Sequence, residues 1–157
     1  MNPLIQQCSE AWQVNNRVNL MVLDELNPEA MASTLSKRGG RTVALQLAHI
    51  HDVRLKWLEV CVPSIFKTQT KIDKEEKIDK ALLKKQLAAS ANAIAQWMET
   101  ADDDGKLKGY KKGIVGMLGY MLAHEAHHRG SILLTLKQSG IKLSDKLKWE
   151  IWDWEKI

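Results

Sequence analysis

Apolar side chains recur at three- and four-residue intervals in four long stretches of the chain, the spacing of helices that each bury one face. The first stretch runs from about Pro3 to Leu26, with Leu4, Cys8, Ala11, Val18, Val22 and Leu26 on one stripe. Pro3 suits a first helical turn, and Asn27-Pro28 ends the helix because a residue before proline is pushed out of helical geometry. Glu29 to Gly40 reads as a connector with a short helical turn around residues 30–35, closed by a flexible Gly39-Gly40 joint. The second helix is predicted from near Thr42 to just before Pro63, with Val43, Leu47, Ile50, Trp57, Leu58 and Cys61 as its main stripe. Ser64 to Asp73 reads as a polar loop.

The third helix is predicted from near Glu75 to about Thr100, with Ile78, Leu82, Ala91, Ile94 and Met98 inward and Lys74-Glu75-Glu76-Lys77 as a solvated entry. Asp102-Asp103-Asp104-Gly105 signals a turn. The fourth helix is predicted from about Gly113 to Gln138, stopped by Ser139-Gly140 with Gly140 in the left-handed region. Beyond it a short tail ends Trp149-Glu150-Ile151-Trp152-Asp153-Trp154, and so many indoles together predict docking on the body of the protein. No segment alternates with period two, and no internal repeat or low-complexity stretch is present. The expectation is an all-α fold, a four-helix bundle with a short C-terminal tail, built as a single domain over residues 1–157.

Composition narrows the partners. The 157 residues are 45% hydrophobic and 27% charged, ordinary values for a chain with one well-filled core. The net charge of +4 is spread among carboxylates, without the basic stripe and stacking aromatics that a nucleic-acid binder displays. Cys8 and Cys61 sit inside apolar periodic stretches and read as buried hydrophobes in a reducing compartment. No basic-then-apolar leader opens the sequence, and no apolar run approaches the ~18 residues of a membrane span. A cytoplasmic protein, with no nucleic-acid or membrane partner, is expected.

All five histidines fall in two places, His49 and His51 on the second helix and His124, His127 and His128 on the fourth. At roughly 100° per residue, His124 and His128 lie about 40° apart and share a column with Met117, Met121, Ile132 and Thr135. Two imidazoles one turn apart can reach a single divalent ion at about 2.0–2.1 Å. The plainer alternative is a pair of core histidines satisfied by hydrogen bonds. On the second helix, periodicity leans to His51 as a third ligand, while His49 sits on a mixed face with Val53, Lys56 and Val60. The wheel alone leaves that choice open.

His124-Glu125-Ala126-His127-His128 also fits H-E-x-x-H, the zincin signature in which Glu125 would be a general base. Zincins commonly bind peptide along an edge strand, and this chain offers no strand. Glu125 has two other uses, behind a metal or as a counter-charge to Arg129. Arg129 itself reads as the anchor for an anionic substrate group or as a structural partner of Glu125 or the acidic tail. Asp52, three residues after His49, could orient an imidazole or pair with Lys56.

Leu47-Ala48-His49-Ile50-His51-Asp52 and His124-Glu125-Ala126-His127-His128-Arg129-Gly130 together resemble the two histidine motifs of the DinB/YfiT-like superfamily, H-[IL]-x-D in a second helix and H-x-x-H-H-R-G in a fourth. The terminal Ile151-Trp152-Asp153-Trp154 is similar to the end of many such chains, so the likeness runs in order from about residue 41 to 154. The resemblance implies a metal-binding four-helix bundle and selects His49, with His124 and His128, as the metal ligands. It leaves His51 and His127 as polar or supporting residues. It further implies a homodimer and a metal-dependent enzyme that activates a low-molecular-weight thiol, as in thiol S-transferases and isomerases of that superfamily, or water, as in hydrolases.

Three neutral imidazoles would leave a divalent ion with its full charge and an open position, which favours a bound hydroxide or thiolate. Neither cysteine is placed to supply that sulfur, so a small-molecule thiol would act on an electrophilic substrate. Nickel or zinc is expected first, with iron or manganese as further candidates. Two other classes remain open from sequence: a zincin-like metallopeptidase, and a non-enzymatic scaffold that metal merely stabilises.

Overall fold

Three of the four long helices begin where a polar side chain takes up a free N–H group of the first turn. The computed structural model describes residues 2–73 and 76–157. Asn2 caps α1 (Pro3–Glu25) by accepting from the Leu4 N–H at 2.9 Å. Asn27 then accepts from the Ala30 N–H at 2.8 Å to start α2 (Pro28–Ala32), so Asn27-Pro28 both ends one helix and opens the next. Thr42 caps α3 (Val43–Cys61), and α4 (Pro63–Phe66) follows after a single residue, Val62. The predicted loop from Ser64 therefore begins as a helical turn, because Pro63 is preset for a first helical position.

The third long helix, α5 (Lys80–Met98), starts later than periodicity suggests. Asp79 is extended and accepts from the Leu82 N–H at 2.9 Å, which fixes the start at Lys80. Ile78 thus lies outside the helix, half-buried against the core, and Lys74 and Glu75 lie outside the described residues. The longest helix is α6 (Gly113–Gln138). It closes as expected through Gly140, whose φ of 75° brings Gly140 N–H to Lys137 C=O at 3.2 Å and Ile141 N–H to Leu136 C=O at 2.9 Å.

The four long helices α1, α3, α5 and α6 form the all-α bundle, and no strand forms among the described residues beyond a single bridge between Leu107 and Tyr110. None of the helices is long and apolar enough to cross a membrane. The bundle's apolar interior is divided in two. One cluster gathers Ile5, Cys8, Trp12, Leu58, Ile94, Trp97 and Met117, and the other Val22, Leu23, Leu47, Ile50, Leu83, Leu87 and Leu136. On α1 the buried face departs from the predicted stripe. Leu4 is exposed, while Ile5, Trp12 and the polar Asn15, Asn16 and Asn19 are buried. Those asparagines belong to a polar layer described below.

The tail corrects a second expectation. It docks through α7 (Asp145–Glu150), with Leu147 buried, Ile151 against the second cluster, and both Ser144 N–H and the Ser144 hydroxyl bonded to the Glu25 carboxylate. The tryptophans do not do the docking. Trp149 and Trp152 are 78% and 77% exposed and Trp154 is 40% exposed, because Leu147 and Ile151 occupy the inward positions of this short segment.

Candidate metal centre

His49 and His51 are two residues apart on α3, so they point about 200° from one another and only one of them can face α6. That one is His49. Its ring centroid lies 5.4 Å from that of His124 and 4.8 Å from that of His128, and the two α6 rings are 4.7 Å apart. One ring nitrogen from each of the three lies within 4.8 Å of the others. Donors around a tetrahedral ion at ~2.0–2.1 Å sit about 3.4 Å apart, so side-chain adjustments on the order of 1 Å would seat an ion. The His124 Nδ1 is buried and has no hydrogen-bond partner. An orphaned imidazole nitrogen within such a cluster is the donor chemistry a metal requires.

The electrostatics suit the same task. Burial lowers the pKa of all three rings. His128 is pushed down to about 4, first by burial and then by the neighbouring His124, His49 and His127 rings and the Arg41 guanidinium. Arg41 and His124 also depress His49, against the opposing field of Asp52. At neutral pH these nitrogens hold lone pairs rather than protons, as a metal ligand must. The three rings are only half-buried, at the rim of the bundle rather than in its apolar column, which leaves one side of the cluster open to an incoming molecule. Tyr120, which periodicity did not single out as part of a site, stacks parallel to His124 with centroids 6.1 Å apart and is itself packed edge-on against Trp57.

His51 is the fully buried histidine, and its Nε2 lies 2.9 Å from the Thr70 carbonyl, so it ties the loop after α4 to α3. His127 is exposed and packs edge-on against His128. Asp52 hydrogen-bonds neither His49 nor Lys56 among the described residues and reaches His49 only through its field. Cys8 and Cys61 are free thiols, buried and pushed up in pKa by that burial, away from the histidine cluster.

Glu125 is the largest departure from the motif's surface meaning. It is wholly buried and receives Arg54 Nε at 2.7 Å on one oxygen. Its other oxygen accepts from Arg54 Nη2 at 2.8 Å, Asn15 at 2.7 Å and Asn19 at 2.6 Å. Arg54 also donates to Asn16, to the Leu87 carbonyl and to Ser90, and lies 4.7 Å over the Trp12 ring. Arg129 closes the layer from outside by donating to the side-chain oxygens of Asn15 and Asn19 at 2.7 and 2.8 Å. Arg129 is thus committed to α1 and not to a substrate. A carboxylate with four donors and no access to water cannot serve as the general base of a zincin, and the strand such a protease would use is missing among the described residues. The asparagines and Arg54 went unnoticed in the sequence. Three asparagines at i, i+1 and i+4 inside an otherwise apolar stripe were the available signal.

A helical bundle that carries a rim-exposed cluster of three neutral histidines defines a class of proteins equipped to hold a metal ion. The chain matches the DinB family over residues 1–145 and belongs to it. No curated protein and no solved structure shows a match to the chain.

Proposed function

We propose that His49, His124 and His128 ligate a divalent cation, nickel or zinc in the first instance, and that the protein is an enzyme of the thiol S-transferase type. The observation that carries this reading is the convergence of three proton-free imidazoles from α3 and α6 on one partly open point. When bound, the ion would supply a positive charge that holds a thiol or water in its deprotonated, nucleophilic form. The chain's own part is to keep its ligands neutral, to hold their rings through the buried layer behind α6, and to leave one face accessible. With both cysteines buried elsewhere, the sulfur would come from a small-molecule thiol and would attack an electrophilic substrate. We take the unit to be a single domain acting in the cytoplasm as a homodimer, for which the exposed Trp149 and Trp152 offer apolar surface.

Elemental analysis of protein loaded with nickel or zinc and freed of excess ion tests the reading. Wild type and His51→Ala retain about one ion per chain, whereas His49→Ala and His128→Ala retain none. Loss of the ion in His51→Ala with retention in His49→Ala refutes the ligand set. A folded, metal-loaded protein that turns over no electrophile with any of a panel of small thiols refutes the transferase assignment and leaves a metal-stabilised scaffold.

A further inference from the structure

A cavity of about 300 Å³ opens beside the histidine cluster and shares His128 with it. Arg41, Gln46, His127, Ser131 and Thr135 line it as well, with Thr34 and Ser36 of the loop before α3. The volume falls at the lower end of small-molecule sites. Arg41 and Gln46, like His127 and Ser131, make no side-chain hydrogen bond among the described residues. The Gln46 residue is only 7% exposed, yet its side-chain amide has no hydrogen-bond partner among the described residues. Its amide atoms are not sealed from solvent, and they line the cavity, where a ligand can take over the contacts they make with water. Arg41 has no carboxylate partner among the described residues, and its charge reaches both His49 and His128.

The remaining groups set the polarity. Thr135 spends its proton on the Ser131 carbonyl at 2.8 Å, so its oxygen can only accept from a ligand. The charged donor on this wall is therefore the Arg41 guanidinium, with the Gln46 amide and the Ser131 hydroxyl as neutral donors beside it. Arg41 is held at the end of a tied loop. Thr34 donates to the Arg41 carbonyl at 3.3 Å, and the Gly40 N–H donates to the Ser36 hydroxyl at 2.8 Å. Gly40 is packed so closely there that a Cβ would fall 2.3 Å from that of Ser36, so glycine is required to bring Arg41 to the rim.

We propose that this cavity is the subsite for the carboxylate of a small organic substrate whose reactive end lies at the histidine cluster, with Arg41 as its charge partner and Gln46 as a second donor. A planar guanidinium matches a carboxylate with two parallel hydrogen bonds, which fixes orientation as well as affinity. The inference deepens the thiol-transferase reading, on which its choice of thiol probes rests. Arg41 and Gln46 thus determine which thiols or acceptors are accepted.

Cobalt-loaded protein is titrated with mercaptocarboxylates of increasing chain length and with the mercaptoalcohols of matching length, and thiol binding is read from the cobalt–thiolate absorption. The mercaptocarboxylate of the best-fitting length binds roughly five- to ten-fold more tightly than its alcohol. That preference vanishes in Arg41→Ala, survives in part in Arg41→Lys and shrinks in Gln46→Leu. In a second arm, metal-free protein is titrated with propionate while the Gln46 side-chain amide resonances are followed. A saturable shift that is absent in Arg41→Ala supports the subsite even where cobalt fails to bind, an outcome that would sink the metal reading alone. Equal affinity for mercaptocarboxylates and mercaptoalcohols, or a preference undiminished in Arg41→Ala, overturns the proposal.

Discussion

Replacing Glu125 by glutamine preserves its volume and removes one charge, which makes it a sharp probe of the layer between the two apolar clusters. Arg54 and Glu125 are both wholly buried, and Glu125 is the only carboxylate that Arg54 pairs with among the described residues. In the variant the guanidinium keeps Asn16, Ser90 and the Leu87 carbonyl but loses its counter-charge, and the new amide N–H₂ must face at least one donor. Breaking a buried pair from one side costs about 3–5 kcal/mol. For a chain of this length that is a fall in Tm of roughly 6–20 °C. Arg54→Leu should cost a similar amount, since Glu125 would then be a buried anion held by two asparagines.

Combining Arg54→Leu with Glu125→Leu removes both charges and leaves the Asn15 and Asn19 amides short of an acceptor, a cost of about 1–3 kcal/mol for each unpaired group. With summed single losses of about 6–10 kcal/mol against about 2–6 for the double variant, the shortfall should be on the order of 4 kcal/mol. Urea unfolding of wild type, Arg54→Leu, Glu125→Leu and the double variant, all metal-free and followed by circular dichroism, completes the cycle. Additive losses, or single losses below about 1 kcal/mol, refute the buried-pair account. An unchanged stability with abolished turnover in Glu125→Gln would instead restore the general-base meaning of the H-E-x-x-H spelling.

Three further outcomes follow from the same geometry. Because burial holds the folded-state pKa of His128 down to about 4, the unfolded chain takes up a proton first as pH falls. This ring's contribution to stability is thus present above the usual histidine pKa of about 6.5 and is lost between there and about 4. Ring-proton NMR of metal-free protein should show His128 neutral at pH 5, and titration near the ordinary value would be the contrary result. Loading with metal at about a thousand times its Kd should stabilise the fold by about 4 kcal/mol, read as a Tm rise that chelation reverses and that His128→Ala abolishes. On the tail, Leu147→Ala should cost about 2–5 kcal/mol, while Trp149→Ala in dilute protein should change stability by less than about 0.5 kcal/mol. A large loss for Trp149→Ala would mean that the indole is covered in solution.

Much of the architecture was legible because helix ends and faces are local properties. Pro3, Asn27-Pro28, Thr42, Pro63 and Gly140 bound their helices through interactions spanning a few residues. The start of α5 was missed by five residues because Asp79 competes for the cap with an apolar pattern that runs back through Ile78. The second-helix histidine shows a different limit. Periodicity finds the buried side, and His51 is indeed the buried one, but a site that must admit a ligand sits at the rim, where His49 is. The polar layer was out of reach for a third reason. The bonds onto Glu125 join residues 71 to 110 positions apart, and no spacing rule connects Arg54 or Asn15 to Glu125. The tryptophans misled because their bulk argues for burial while Leu147 and Ile151 take the inward positions.

The polar layer and the histidine cluster clasp the same two helices. α3 meets α6 at the interior through Arg54 and Glu125, and at the rim through His49 with His124 and His128. Glu125 directly follows one of those α6 histidines and precedes the other by three residues, so the bond that sets its direction also sets the rotation of the rings. Asn15 and Asn19 add α1 to the clasp, and Arg129 braces them from outside. A slip of α6 by one residue would turn each side chain by about 100°, which would break the ion pair and scatter the imidazoles together. The buried pair therefore acts at a distance on the metal. Glu125→Gln, studied at a temperature where it remains folded, should hold zinc about 10- to 100-fold more weakly than wild type although no ligand has changed. Competition with a chromogenic chelator measures this directly. Wild-type affinity in the folded variant would mean that the histidines find their geometry without the layer behind them.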